Sequence, residues 1–135
     1  MIIKIYLVLL FLSIGIIHVY WAFGGGWGIK AAIPENDNGP LFKAEPGGTL
    51  FIAALFITGA IWVLIDFFEY KIIFLQNYLY YFIALVFFAR AVGEFKYVGF
   101  FKKIKNTKFA LYDYILYSPI CLSVSLAAIS ILIIQ

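Results

Sequence analysis

The sequence predicts an all-α membrane protein: four transmembrane helices in a bundle, with a short basic amphipathic interfacial helix between spans three and four. Three observations carry this. Hydrophobic residues make up 65% of the chain and charged residues 13%, against roughly 45–50% and about 25% in a soluble domain. Four segments, Ile2–Phe23, Thr49–Phe68, Ile73–Gly93 and Ser118–Gln135, approach the ~20 mostly apolar residues that a spanning helix needs. Half of the ten basic residues fall between Arg90 and Thr107, outside those runs. The 135 residues therefore form a single transmembrane domain, 1–135, with long loops at 24–48 and 94–117.

Lys4 followed by an apolar run has the outline of a signal peptide. No small-x-small cleavage site follows, and Trp21 and Phe23 crowd the candidate position, so the segment reads as span one. Phe11, Gly15, His18 and Ala22 share one helical face, and its small residues point it into the bundle. Tyr20, Trp21 and Trp27 bracket the exit, as interfacial aromatics do. The loop that follows is rich in Gly and Pro. Its Gly24-Gly-Gly-Trp-Gly28 run has no preceding strand and no P-loop Lys-Ser/Thr, so it reads as a turn anchored by Trp27 and not as a phosphate cradle.

Span two starts at the Gly47-Gly48-Thr49 break and packs through Ala53, Ala54, Gly59 and Ala60. Asp66, just inside its apolar limit, is expected to snorkel or to pair with Lys71. The short Glu69–Asn77 connection makes spans two and three antiparallel neighbours. Span three is dense in aromatics and ends at Arg90 and Glu94, spaced to pair across one helical turn. Beyond it, Tyr97, Phe100, Phe101 and Ile104 fall at i, i+3, i+4 and i+7. Lys96, Lys102, Lys103 and Lys105 fall on the opposite side, the pattern of a helix lying on a membrane surface. Ser118-Pro119 supplies an N-cap and a first-turn proline for span four. Ser118, Cys121, Ser125 and Ala128 form its packing seam.

Lys4 and Lys71 lie on one side of this topology. Lys30, Lys43, Lys96, Lys102, Lys103, Lys105 and Lys108 lie on the other, with Arg90 at its edge. The positive-inside rule then puts both long loops in the cytoplasm and both termini outside, in a bacterial inner membrane. His18, Arg90 and Glu94 end up at the same face. They are expected to satisfy one another as a polar cluster that stabilises the bundle, in an accessory or subunit of a larger membrane complex. The alternative is a site for an anionic lipid or isoprenoid-like amphiphile. In it Arg90, Lys96 and Lys102, with Tyr20 and Trp21, would bind the ligand, and His18 and Glu94 are the candidate catalytic acid and base.

A thiol nucleophile of Cys121 with His18 is a weaker option. One His and one Cys do not fill a zinc sphere, and no metal or cofactor is expected. Membrane lipids and other membrane subunits are the expected partners. Nucleic acid is not, because the lysines fit a membrane-surface helix.

Two stretches resemble the motifs of a small bacterial four-span family, domain of unknown function 3995. The first is His18-Val-Tyr20-Trp21-Ala-Phe-Gly24-Gly25-Gly-Trp27-Gly28. The second is Arg90-Ala-Val-Gly93-Glu94-Phe-Lys96-Tyr-Val-Gly99-Phe100-Phe101-Lys102, followed by Phe109-Ala110, Asp113 and Tyr117-Ser118-Pro119-Ile-Cys121-Leu122. The resemblance covers nearly the whole chain. It implies a four-helix membrane protein and no established activity, so it assigns no catalytic residue.

Overall fold

The computed structural model describes residues 1–68 and 73–134. Its elements in order are α1 (Ile2–Ala22), α2 (Ile29–Ala32), a two-residue antiparallel pair β1 (Glu35–Asn36) and β2 (Gly39–Pro40), α3 (Pro46–Phe67), α4 (Ile73–Val92), α5 (Lys108–Tyr112), a π-helical turn (Asp113–Tyr117) and α6 (Ser118–Ile134). Among the described residues, four helical segments are long and apolar enough to cross a membrane: Ile2–Ala22, Pro46–Phe67, Leu75–Val92 and Lys108–Ile134. The chain is a multi-pass, four-span, all-α protein, as its composition requires.

The spans pack as two pairs. Helix α1 lies along α3, α4 lies along α6, and a lighter α1–α6 contact joins the pairs. The first seam depends on small residues. A methyl group added at Gly15 would come within 2.8 Å of the Ile57 side chain, and Gly59 lies under the Phe11 ring, so the backbones approach as small residues permit. Leu7, Phe11, Ala60, Val63, Tyr80, Ile83, Ala84, Val124, Ala128 and Ile131 form the shared core. The Ser125 hydroxyl donates to the Ala84 carbonyl at 2.8 Å across the second seam. Ser118, Cys121, Ser125 and Ala128 are all buried there, as the small-residue stripe predicts.

The end of α1 follows from its glycines. Gly24 takes φ +90, the Gly24 amide donates to Trp21 O, and the Gly25 amide donates to Tyr20 O. This is the Schellman pattern, which needs a residue without a Cβ at the left-handed position. Span two begins earlier than its Gly-Gly break suggests, because Pro46 occupies the first helical turn with its φ already set and no amide to satisfy.

Two local expectations are corrected. Residues 93–107 are not helical: they form bends and turns. Gly93 at φ +83 and Phe95 at φ +66 break the helix immediately after Val92, so the apolar positions 97, 100, 101 and 104 never share a helical face. The first helical turn after this loop is α5, which opens span four and is capped by Thr107 Oγ1 accepting from the Ala110 amide. Ser118-Pro119 does not start a helix either. Lys108–Ile134 runs continuously for 27 residues, and Pro119, with no amide to donate and a ring that crowds the preceding turn, is accommodated by the π turn just before it.

The expected Asp66–Lys71 pair and the Glu69–Asn77 connection involve residues 69–72, which lie outside the described residues. Spans two and three meet at isolated points, the Phe56–Phe87 ring contact and a Tyr80–Asp66 hydrogen bond. At that end of the bundle Asp66 is buried. Its carboxylate lies 2.7 Å from Lys4 Nζ and accepts from Tyr80 Oη at 2.6 Å.

Candidate functional site at the loop end of the bundle

The two long loops meet at the opposite end. Tyr117 Oη donates to the Ala31 carbonyl at 3.1 Å, and the Lys108 amide donates to Glu35 Oε1 at 2.9 Å. Beneath and beside this junction lie two distinct polar features.

The first is an ion cluster around Asp113, which is 0% exposed. Arg90 Nη2 donates to its Oδ1 at 2.9 Å, and Lys102 Nζ donates to its Oδ2 at 2.9 Å. The Gly99 amide donates to the same Oδ2 at 2.7 Å, and Lys102 Nζ also donates to Gly99 O at 2.9 Å. Lys102 is only 3% exposed. A carboxylate at this depth is tolerable because three donors saturate it. One carboxylate faces two cations, and Arg90 Nη1 is buried without a partner in the described structure, so the cluster keeps a surplus positive charge.

The loop must fold back to bring Lys102 and Gly99 onto Asp113. Gly99 at φ +91 and Gly93 at φ +83 permit this. A Cβ on Gly93 would run into the Val98 carbonyl, and one on Gly99 would run into the Val92 carbonyl. The Phe100 amide completes the return by donating to Ala91 O at 2.9 Å. Lys108–Ile134 spans about 40 Å at 1.5 Å per residue, against ~30 Å of hydrocarbon, so its first turns reach beyond the apolar layer and carry Asp113 toward the headgroup level.

The second feature is a cleft of about 560 Å³ between the ends of α1 and α3 and the first loop. Ile29, Ile33, Phe42 and Ile52 supply apolar walls, and His18, Lys43, Glu45 and Thr49 supply polar groups. His18 caps an aromatic column. Phe87 stacks on Phe11, Phe11 and Phe56 meet edge to face, and His18 stacks on Phe56 with Trp21 against its other side. His18 Nδ1 lies 2.8 Å from the Ile14 carbonyl. A carbonyl only accepts, so Nδ1 carries the proton in this hydrogen bond.

The expected cluster of His18, Arg90 and Glu94 does not assemble. The i, i+4 argument for Arg90–Glu94 needs a helix through Glu94, and the helix stops at Val92. Glu94 instead accepts from the Tyr97 amide at 2.8 Å on the exposed loop, and Arg90 pairs with Asp113. His18 belongs to the cleft. Of the residues expected to bind a ligand, Arg90 and Lys102 come together through Asp113. Lys96 lies apart on the surface, 5.0 Å from its neighbour's Tyr97 ring centroid.

Tyr20 and Trp21 hold the glycine turn. Trp21 Nε1 donates to Trp27 O at 2.7 Å, and the Trp27 amide donates to Tyr20 Oη at 3.4 Å. Trp21 also lines the cleft. Cys121 has Arg90 and Asp113 as its charged neighbours. Sequence reasoning missed Asp113 as the centre of the cluster and Lys43, Glu45 and Thr49 as companions of His18. Asp113 carried one signal: it is the single charge in the aromatic stretch Phe109–Tyr117.

No curated protein and no solved structure matches the chain. The family described as proteins of unknown function, DUF3995, matches residues 11–128 of the 135, and the chain belongs to that family.

Proposed function

We propose that this protein binds an amphiphile, a lipid or isoprenoid-like molecule, in the His18 cleft. The carrying observation is the composition of that cleft, mostly apolar with a few polar groups. Its lining is mostly apolar and aromatic, through Trp21, Ile29, Ile33, Phe42 and Ile52, and includes the His18 ring. Its exposed charged residues are Lys43 and Glu45. A volume of about 560 Å³ lies within the ~300–1,000 Å³ of small-molecule sites, which are mostly apolar with a few placed polar groups. The cleft also straddles the end of two spans, where a polar head and an apolar tail are both solvated.

In this reading the lysine bias of the two loops orients the site toward the cytoplasm of a bacterial inner membrane, with both termini outside. His18 Nε2 accepts a hydrogen bond from the bound head group, and in a catalytic version it takes a proton. Glu94 is not among the residues that line the cleft, and its Oε1 accepts from the Tyr97 amide.

The test is native mass spectrometry of the full chain gently released from its own membrane. The wild type should retain one lipid-sized adduct. Gly48 lines the cleft, and a Cβ there would meet nothing within 4 Å, so Gly48→Leu should fold normally and lose the adduct. Protein companions with no retained small molecule would overturn this reading and favour a subunit of a larger membrane complex.

A further inference from the structure

The loop between α4 and α5 has a second property, independent of the cleft. Its backbone closes as an arch: the Lys103 amide donates to Phe95 O at 3.1 Å and the Ile104 amide donates to Lys96 O at 3.0 Å. Inside the arch, Lys102 and Gly99 are tied to Asp113. Outside it, Phe95 is 56% and Phe101 65% exposed, with ring centroids 6.4 Å apart. Lys96, Lys103, Lys105 and Lys108, on the same loop or at its end, are all exposed. None of these four lysines forms an ion pair among the described residues. Nearby Glu94 and Glu35 have each turned an oxygen to a backbone amide.

Phe95 holds φ +66 and is alone among the described non-glycine residues in having a positive φ. A bulky residue rarely adopts that conformation. Strain of this kind persists where the surroundings over-determine it, and it points to a functional demand. Here it turns a large apolar ring away from the protein. The Phe100 amide is bonded to Ala91 O, so the arch sits level with the end of span three, at the depth where aromatic rings and lysines meet lipid headgroups.

We propose that the 95–104 arch is a preformed anchor for anionic phospholipid in the leaflet at the loop end. Phe95 and Phe101 insert among the acyl–headgroup boundary, and Lys96, Lys103 and Lys105 contact the headgroup phosphates. Charge complementarity selects this occupant. The patch holds unneutralised lysines beside apolar rings, the combination that binds an anionic interface, whereas an apolar protein partner would leave those lysines buried and unpaired.

The experiment reconstitutes the full chain in nanodiscs of phosphatidylcholine mixed with phosphatidylglycerol and identifies the lipids that stay with the protein on release. The wild type should retain phosphatidylglycerol well above its bulk share. The double substitution Lys103→Gln and Lys105→Gln should lower that enrichment by up to roughly fivefold for each lysine removed, the effect of one lysine at an anionic surface. Phe95→Gly, which suits the positive φ, should leave the melting temperature unchanged or higher and still reduce the enrichment.

Equal retention of both lipids by the wild type, or unchanged enrichment in both variants, overturns the anchor. So does loss of a co-purifying protein with no change in lipid. Gly48→Leu separates this result from the cleft: it should remove the single tight adduct and leave the phosphatidylglycerol enrichment intact.

Discussion

Lys102 and Asp113, eleven positions apart, meet at 2.9 Å with side chains 2% and 0% exposed. Together with the Gly99 amide on the same carboxylate, the pair fixes the second loop against the start of span four. Asp113→Ala would leave Lys102 and Arg90 facing each other with no carboxylate. Removing one partner of a buried pair costs about 3–5 kcal/mol, so this variant should show the largest fall in unfolding temperature of any single loop substitution, measured by thermal unfolding in detergent. Lys102→Met should cost less, because Arg90 and the Gly99 amide still serve the carboxylate.

Gly93→Ala and Gly99→Ala test the fold-back directly. Each new methyl group meets backbone, which cannot move aside as a side chain can, and each sits at positive φ. Each should cost more than the ~1 kcal/mol typical of an incompatible Gly→Ala change. Limited proteolysis should then find residues 93–107 cleavable at Lys96, Lys103 and Lys105 in conditions where the wild type resists.

At the other end of the bundle, Tyr80 Oη donates to the buried Asp66 carboxylate. Tyr80→Phe deletes that donor without changing the ring. A hydrogen bond to a charged group contributes about 1.5–3 kcal/mol, so the variant should unfold earlier by that amount in a chemical denaturation series. Binding of the adduct at the far end should be unaffected.

His18→Ala and His18→Gln separate a ligand role from a packing role. The alanine removes a ring that stacks on Phe56 and abuts Trp21 and should lower the melting temperature as well as the retained adduct. Glutamine keeps side-chain hydrogen-bonding groups and much of the volume, and should restore part of the adduct. If neither variant changes the adduct while both lower stability equally, His18 is a packing residue only.

The four spans were legible because an apolar run of about 20 residues has few other structures open to it. The small-residue seams at Gly15 and at Ser118, Cys121, Ser125 and Ala128 were legible for a related reason: their spacing follows the helix, and that part of the chain is helical. The same spacing argument failed at Arg90–Glu94 and at Tyr97–Ile104, where Gly93 ends the helix and a periodicity remains with no helix to carry it. Lys102 could not be told from Lys103 or Lys105, because burial was decided by a carboxylate further along the chain. Ser118-Pro119 reads locally as a helix start. What overrode it is a continuous helix from Lys108 that absorbs the proline through a π turn.

The pairing of Arg90 and Lys102 with Asp113 also has a direction in time. Ribosomes add roughly 5–20 residues per second, so Arg90 leaves the peptidyl-transferase centre 23 positions ahead of its counter-charge and Lys102 leaves it 11 ahead. Throughout that interval neither cation has the carboxylate that holds it in the finished protein. Only the arrival of the fourth span quenches them. By closing on Asp113 the same two side chains tie the second loop to the last span to be made.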